Sequence, residues 1–506
     1  MYPALARIQE RLYPLPVSLS LSEGEFFFGN RLHCFLSDQI LSSDQKNLIA
    51  DLFSSFCMAK SSLVFLPLPP GREETLLACT SHLPADESAN SDNMESENSD
   101  GYSLCITPSL IRIKASGAQN LLHGFFTLLQ LIEADSLVPG KEKYCLPCLH
   151  IRDFPATPFR GVHLCIFPET PFTFIEKAIR LAGFLKYTHI VLEPWGMIPF
   201  SCFPQCAWPN AYTKEQIRSL VRQANAFGME VVPCLNHLGH ASSCRANYGR
   251  HTVLSRTPAL ATLFEPDGWT WCISNPDVRN LLRKIREEFC DLCGDGSFFH
   301  IGCDEAWSFG SCRKCSLTPR SLLTEYLNEI CNHLSSLGRR PIMWGDMLLD
   351  PDYPYGDDII ISPYSIPPLS RHEKLFEIAG ELNRRILIAD WQYDPREKEN
   401  FFLTTTDYFQ KKGFDVLLCP WNDAGGIFSL GASAQNQHAH GFLLTTWHTL
   451  PEHMDTLVMG SEASWCGMRQ RENFGLVWMK AGEWQRKICP CSDYTECGFK
   501  SLEVVY

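Results

Sequence analysis

The chain has 506 residues, 45% of them hydrophobic and 20% charged, which is the balance of a soluble globular protein too long for one ordinary domain. Its net charge of -13 argues against nucleic acid or an anionic membrane as the main partner. No apolar run approaches the ~20 residues that a membrane helix needs. The start, Met1 to Arg11, shows no apolar signal core, so a cytoplasmic or nuclear place is expected for the chain as it stands.

Residues 1–150 read as a small α+β domain. Ser18 to Phe28 and Ser62 to Leu68 are strand-like, and Leu48 to Met58 is helix-like. Pro84 to Gly101 carries six acidic residues and no basic ones among many Ser and Asn, the composition of a disordered surface insertion. Two alternating runs around Thr107-Pro108-Ser109 predict a hairpin. Behind it, Leu121, Leu122, Phe125, Leu128 and Leu129 form the stripe of a helix over Ala118–Glu133, read as core packing.

From residue 151 to about 480 the rhythm changes to apolar strands alternating with amphipathic helices, leaving 481–506 as a C-terminal tail. Eight strands are expected, at Gly161–Ile166, His189–Glu193, Glu230–Leu235, Phe298–Ile301, Pro341–Trp344, Ile386–Ala389, Val416–Pro420 and Phe442–Thr446. The first helices fall at Phe174–Leu185, Lys214–Phe227 and Asp277–Cys290. The count suggests an α/β fold of the (β/α)8 TIM-barrel type behind the small domain. A doubly wound sheet is the alternative, weakened because no Gly-x-Gly-x-x-Gly follows the first strand.

In a barrel the chemistry collects at the C-terminal strand ends. Those ends offer Arg160 and His163; Glu193 and Trp195; Asn236, His237 and His240; Asp304 and Glu305; Trp344 and Asp346; Asp390, Trp391, Tyr393 and Asp394; Trp421, Asn422 and Asp423; and Trp447 and His448. Each alone has a plain structural explanation. Together, aromatic faces beside a few polar groups make a pocket suited to pyranose rings. The run Phe298-Phe299-His300-Ile301-Gly302-Cys303-Asp304-Glu305 is central, because adjacent strand side chains point to opposite faces. Its two carboxylates can share a pocket only if the chain bends after Gly302. Two close carboxylates do not both ionise freely, which suits acetal cleavage. An Asp-Glu pair can equally just open a helix.

The odd count of 23 cysteines points to reduced thiols rather than a disulfide framework. Cys290-x-x-Cys293 and Cys312-x-x-Cys315 imitate a zinc site, but the His300 strand between them should hold the pairs roughly 20 Å apart. Buried free thiols are expected, with a metal or redox role left open for Cys312 and Cys315 alone.

His300-x-Gly302-x-Asp304-Glu305 is similar to the signature of the glycoside hydrolase family 20 β-N-acetylhexosaminidases, and Cys303 resembles the hexosaminidase D branch in particular. Asp153-x-Pro155 with Phe159-Arg160-Gly161-Val162-His163 looks like the family's first barrel strand. Val232-Pro233 with Gly239-His240 looks like its third. Gly101–Leu131 resembles the small domain that often precedes the barrel.

The resemblance implies a retaining, substrate-assisted exo-hydrolase of terminal β-linked GalNAc or GlcNAc, acting on a small molecule or glycoconjugate without cofactor or metal. By it, Glu305 is the general acid and base, Asp304 holds the acetamido N–H, and Tyr393 donates to the acetamido oxygen. Glu193 and His240 form an outer pair tuning Glu305. Arg160 matches the family arginine that binds sugar hydroxyls, and the indoles of Trp344, Trp391 and Trp447 wall the pocket; the strand ends add Asp346, Asp394 and Trp421 as substrate-binding candidates. Two positions depart from the family pattern: Cys165 stands where many members have Asp, and Thr449 where they have a glutamate for the distal hydroxyls. Asp394 or Asp423 is the candidate replacement. A homodimer stays open, and the rival reading is a non-catalytic sugar-binding protein on the same barrel.

Overall fold

The computed structural model describes residues 2–36, 40–67, 76–80, 101–132, 136–138, 143–241, 253, 257–355, 374–393, 402–451, 454–469 and 477–489. The acidic insertion lies outside them apart from Gly101, as do Asp394 and residues 490–506 of the expected tail.

Two sheets organise the chain. The first contains β1 (Ser18–Phe28), β2 (Arg31–Leu36), β3 (Ser62–Leu66), β4 (Leu76–Thr80), β5 (Tyr102–Ile106), β6 (Leu110–Ala115), β7 (Leu137–Val138) and β8 (Lys143–Asp153). Their order is β1-β8-β5-β6-β4-β2-β3, with β7 beside β8. The expected hairpin forms as the antiparallel pair β5 and β6. Thr107 closes it, its amide donating to Leu110 O at 2.9 Å. Helix Ser43–Phe56 starts on a capping box between Ser42 and Gln45.

Helix Ala118–Gln130 is buried on every face from Leu121 to Gln130, not along one stripe. One side meets the small sheet so closely that a Cβ on Gly124 would stand 2.5 Å from Ile113 Cγ2. The other side meets the barrel, where Phe126 packs on Phe184 and Phe227. A helix that is apolar all round is one covered on both sides.

The second sheet holds β9 (Phe159–Cys165), β10 (His189–Glu193), β11 (Glu230–Pro233), β12 (Phe298–His300), β13 (Arg340–Trp344), β14 (Leu387–Trp391), β15 (Val416–Cys419) and β16 (Gly441–Thr445). All neighbours are parallel, in the order β11-β10-β9-β16-β15-β14-β13-β12. The outer strands of that order, β11 and β12, meet through the Cys234–His300 bridge. Leu235 N also donates to His300 O at 3.0 Å and His237 N to Ile301 O at 2.9 Å. The result is a nearly closed (β/α)8 TIM barrel, with each of the eight expected strands present. Its bore is filled by side chains such as Phe159, Val191, Ile342, Leu417 and Leu443, capped by Trp344.

Asp153, where β8 ends, ties the two units together. Its carboxylate accepts from Lys186 Nζ (3.0 Å), Tyr102 Oη (2.6 Å), Trp465 Nε1 (2.8 Å) and Val17 N (3.2 Å). Helix Val477–Ile488 crosses the expected boundary at residue 480 and buries Trp484 and Ile488. Trp484 edges onto Tyr13 of the N-terminal region and Phe184 of the barrel. Among the described residues, no helix is long and apolar enough to cross a membrane.

Candidate active site

The bend expected after Gly302 is present and severe. Gly302 has φ +62°, Cys303 +72° and Glu305 +46°, all left-handed. Such values are uncommon outside glycine and mark a backbone held by its surroundings. At Gly302 a side chain would force its neighbours to move, since its Cβ would lie 1.5 Å from Asn236 Oδ1. Trp344 N donates to Gly302 O at 3.0 Å, and Glu305 N to Asp346 Oδ2 at 2.8 Å. The bend turns both carboxylates towards one imidazole: His240 Nε2 is 3.1 Å from Asp304 Oδ2 and 3.2 Å from Glu305 Oε2. His240 is itself left-handed, with φ +56°.

The two acids are not equivalent. The Asp304 side chain is 7% exposed and that of Glu305 25%. Asp304 Oδ1 has no hydrogen-bond partner among the described residues. Buried carboxylate oxygens are rarely left so, and an exception needs an explanation.

Asp346 supports this bend. One oxygen takes the Glu305 amide and the other faces Trp391 Nε1 at 3.4 Å. Burial, with the nearby charges of Asp304 and Glu305, pushes its carboxyl well above the usual range.

Aromatic rings enclose the rest. Trp344 lies 4.4 Å from His300 and 5.6 Å from Trp447, ring centre to ring centre. Trp447 Nε1 donates to Tyr393 Oη at 2.8 Å. Burial raises the Tyr393 phenol, so it keeps its proton. Trp391 and Trp421 flank Tyr393 at 5.1 and 5.3 Å. Beneath them Glu193 Oε2 meets His163 Nε2 at 2.9 Å, with Cys165 Sγ at 3.6 Å. His163 stands edge-on to Trp447 and Trp344. Trp195 packs edge-on against His240.

Arg160 is not part of this pocket. It sits second in β9, at the end of the strand away from the carboxylates. Its guanidinium donates to the carbonyls of Lys186 (3.1 Å), Thr157 (2.8 Å) and Pro158 (3.2 Å), and lies over the Trp465 ring. The expectation that it joins the sugar-binding residues is corrected: Arg160 stands just before the predicted strand Gly161–Ile166, so counting it among the C-terminal strand ends was a misplacement, and β9 (Phe159–Cys165) holds it at the opposite end from the carboxylates. Asp423 is also committed, as the N-cap accepting from Gly426 N at 2.5 Å. Thr449, at the departure position, accepts from Trp421 Nε1 at 3.0 Å.

Sequence reasoning missed Trp269 and Trp307. Trp269 Nε1 donates to Glu305 O at 2.5 Å, and its ring lies 4.3 Å from His240. Trp307 stacks flat on it, 4.9 Å away at 2°. Both lie in loops without periodicity; the only signal was the spacing of Trp307, two residues after Glu305.

Comparison with known proteins gives the family. The model of glycosyl hydrolase family 20, catalytic domain, matches residues 201–368, and that of the family's domain 2 matches residues 9–154. A β-hexosaminidase of Porphyromonas gingivalis is 22% identical over 67% of this chain and 45% of its own length. β-Hexosaminidase subunit A1 of Dictyostelium discoideum is 23% identical over 58% of this chain and 57% of its own. The chain thus spans about half the length of these curated relatives. The crystal structure of a β-N-acetylhexosaminidase from Bacteroides fragilis superposes with a TM-score of 0.69 at 16% identity, covering 94% of this chain and 96% of that one. With both of its domains matched in order and the same fold in a solved member, the chain belongs to glycosyl hydrolase family 20.

Proposed function

We propose that the protein is a retaining exo-β-N-acetylhexosaminidase, removing terminal β-linked GlcNAc or GalNAc by substrate-assisted hydrolysis. The observation that carries this reading is the meeting of Asp304 and Glu305 on His240, with one buried Asp304 oxygen unsatisfied among the described residues. The names of the matched relatives support it.

Glu305, the more exposed acid, protonates the leaving oxygen and later takes a proton from the attacking water. The nucleophile is the substrate's own 2-acetamido oxygen. Asp304 accepts the acetamido N–H with its unsatisfied oxygen and offsets the positive charge growing on the oxazolinium ring. Tyr393, already accepting from Trp447, donates its retained proton to the acetamido oxygen. His240 links the two carboxylates and holds their spacing. Glu193 acts one layer deeper, fixing His163 beneath the aromatic floor. Asp346 positions Glu305 through its backbone rather than gripping a hydroxyl.

The test is hydrolysis of chromogenic β-GlcNAc and β-GalNAc substrates beside their 2-hydroxy counterparts. The 2-acetamido sugars are cleaved and the plain glucosides and galactosides are not. A bicyclic thiazoline that mimics the oxazolinium inhibits far better than product sugar, and Asp304→Asn weakens both kcat and this inhibition. Brisk cleavage of 2-hydroxy sugars, or a trapped sugar ester on a protein carboxylate, would overturn the mechanism. Sugar binding without any turnover would replace the enzyme by a lectin-like protein.

A further inference from the structure

Seven residues beyond Glu305 the chain runs Cys312-Arg313-Lys314-Cys315. These thiols do not pair with Cys290 and Cys293. They converge instead on Cys272, which comes from the preceding βα loop: Cys272 Sγ is 3.7 Å from Cys312 Sγ and 3.9 Å from Cys315 Sγ. Glu265, from the same loop as Cys272, completes the cluster, each of the four side chains offering a ligand atom within 4.8 Å of the others.

Sulfurs bound to one tetrahedral zinc at ~2.3 Å stand about 3.8 Å apart, which matches. Packed thiols also stand near this distance, so spacing alone does not decide. The carboxylate does. Glu265 is 1% exposed, and no Lys, Arg or His forms an ion pair with it among the described residues. Its Oε2 accepts from Cys312 N at 2.6 Å and Ser311 Oγ at 3.2 Å, while Oε1 has no hydrogen-bond partner among the described residues. The Cys315 thiol also faces this carboxylate, so three sulfurs and a buried carboxylate converge with no cation in ion-pair contact among the described residues, the arrangement that one metal ion completes. The Cys-x-x-Cys turn also holds its sulfurs in place: Cys315 N donates to Cys312 Sγ at 3.3 Å. Among the described residues the other grouping of this kind is His163, Glu193 and Cys234, in which His163 Nε2 and Glu193 Oε2 already pair at 2.9 Å.

We propose that Cys272, Cys312, Cys315 and Glu265 bind one zinc ion as a closed structural site. Binding releases the three thiol protons and places the thiolates and one Glu265 oxygen around the metal, leaving no open position for substrate or water. The site joins the loop after β11 to the loop after β12, the strands whose own pairing is the sparsest in the barrel. Trp269 lies between Glu265 and Cys272 and holds the Glu305 carbonyl. The zinc is therefore a positioning element for the carboxylate bend, and it stands independently of the sugar-cleaving reading.

The experiment measures metal in the full chain purified without chelator from zinc-supplied cells. About one zinc per chain is expected, and cobalt exchanged for it should show the charge-transfer and d–d bands of a tetrahedral thiolate site. Removing zinc with a strong chelator lowers Tm, and adding zinc restores it. The double variant Cys312→Ser/Cys315→Ser loses the metal, and Glu265→Gln retains it more weakly. Metal below about one-tenth per chain that zinc addition does not raise would overturn the proposal, as would full metal content in the double serine variant. If the serine variants fail to fold, the cobalt spectrum of the unaltered chain decides: thiolate bands support the site, and their absence removes it.

Discussion

At the scale of single residues, the carboxylate pair depends on backbone that only its neighbours make tolerable. Gly302→Ala forces a left-handed alanine and drives its methyl into Asn236, at a combined cost of about 2–4 kcal/mol. Urea unfolding should show that loss; a change below about 0.5 kcal/mol would mean the bend is more plastic than it looks. Glu305→Gln keeps the shape but not the proton, so kcat should fall ~10²–10⁴-fold on substrates with poor leaving groups and less on activated aryl glycosides. Equal small losses on both substrate types would remove Glu305 from the acid role. The carboxylates, Tyr393 and the indoles of Trp344, Trp391, Trp421 and Trp447 were legible because short apolar strands ending in polar and aromatic residues have few other uses. Trp269 and Trp307 were not, because a loop residue's neighbours are set by the fold rather than by spacing.

Among the elements, the strands were the most readable and their ends the least. An apolar run does not say which of its residues makes the first ladder bond, and Arg160, counted with the C-terminal strand ends, belongs to the start of β9 at the other end. What the strands and helices bury is also testable. Desolvation holds His300 and His189, on β12 and β10, down to about 3, and pushes His123 and His237 well below the usual histidine value. Unfolded histidine titrates near ~6.5, so below that pH the unfolded chain takes up protons that the folded chain refuses. Stability is fully present above ~6.5 and is lost as pH falls towards 3, by up to ~1.4 kcal/mol per pH unit for each buried ring. Asp346, Asp390 and Glu176 have raised values and work in the opposite direction over the same window, but they are fewer. Thermal scans should therefore show Tm declining from pH 7 to pH 5. A flat or rising Tm would show that water reaches these rings.

For the whole molecule, the small sheet and the barrel behave as one body in the region around Asp153. Lys186 is completely buried there, its ammonium paired with Asp153 and lying over the Tyr102 and Trp465 rings. Asp153→Ala strands that charge and should cost ~3–5 kcal/mol, while Asp153→Asn with Lys186→Met should cost much less than the sum of the two single changes. Two separate unfolding transitions in the unaltered chain would refute the coupling. Sequence patterning announced two units but not this junction, since Asp153 and Lys186 are ordinary surface residue types until the fold covers them. The barrel wall has its thinnest place between β11 and β12. Seven of its eight strand contacts are runs of register, whereas β11 and β12 share an isolated bridge flanked by two amide bonds. Amide hydrogen exchange should reach the deuterated solvent first at Leu235 and His237, well before Val162 or Leu444 on the continuous side. The bend that carries the two acids begins on that seam, so the wall that opens most readily is the one on which the chemistry depends.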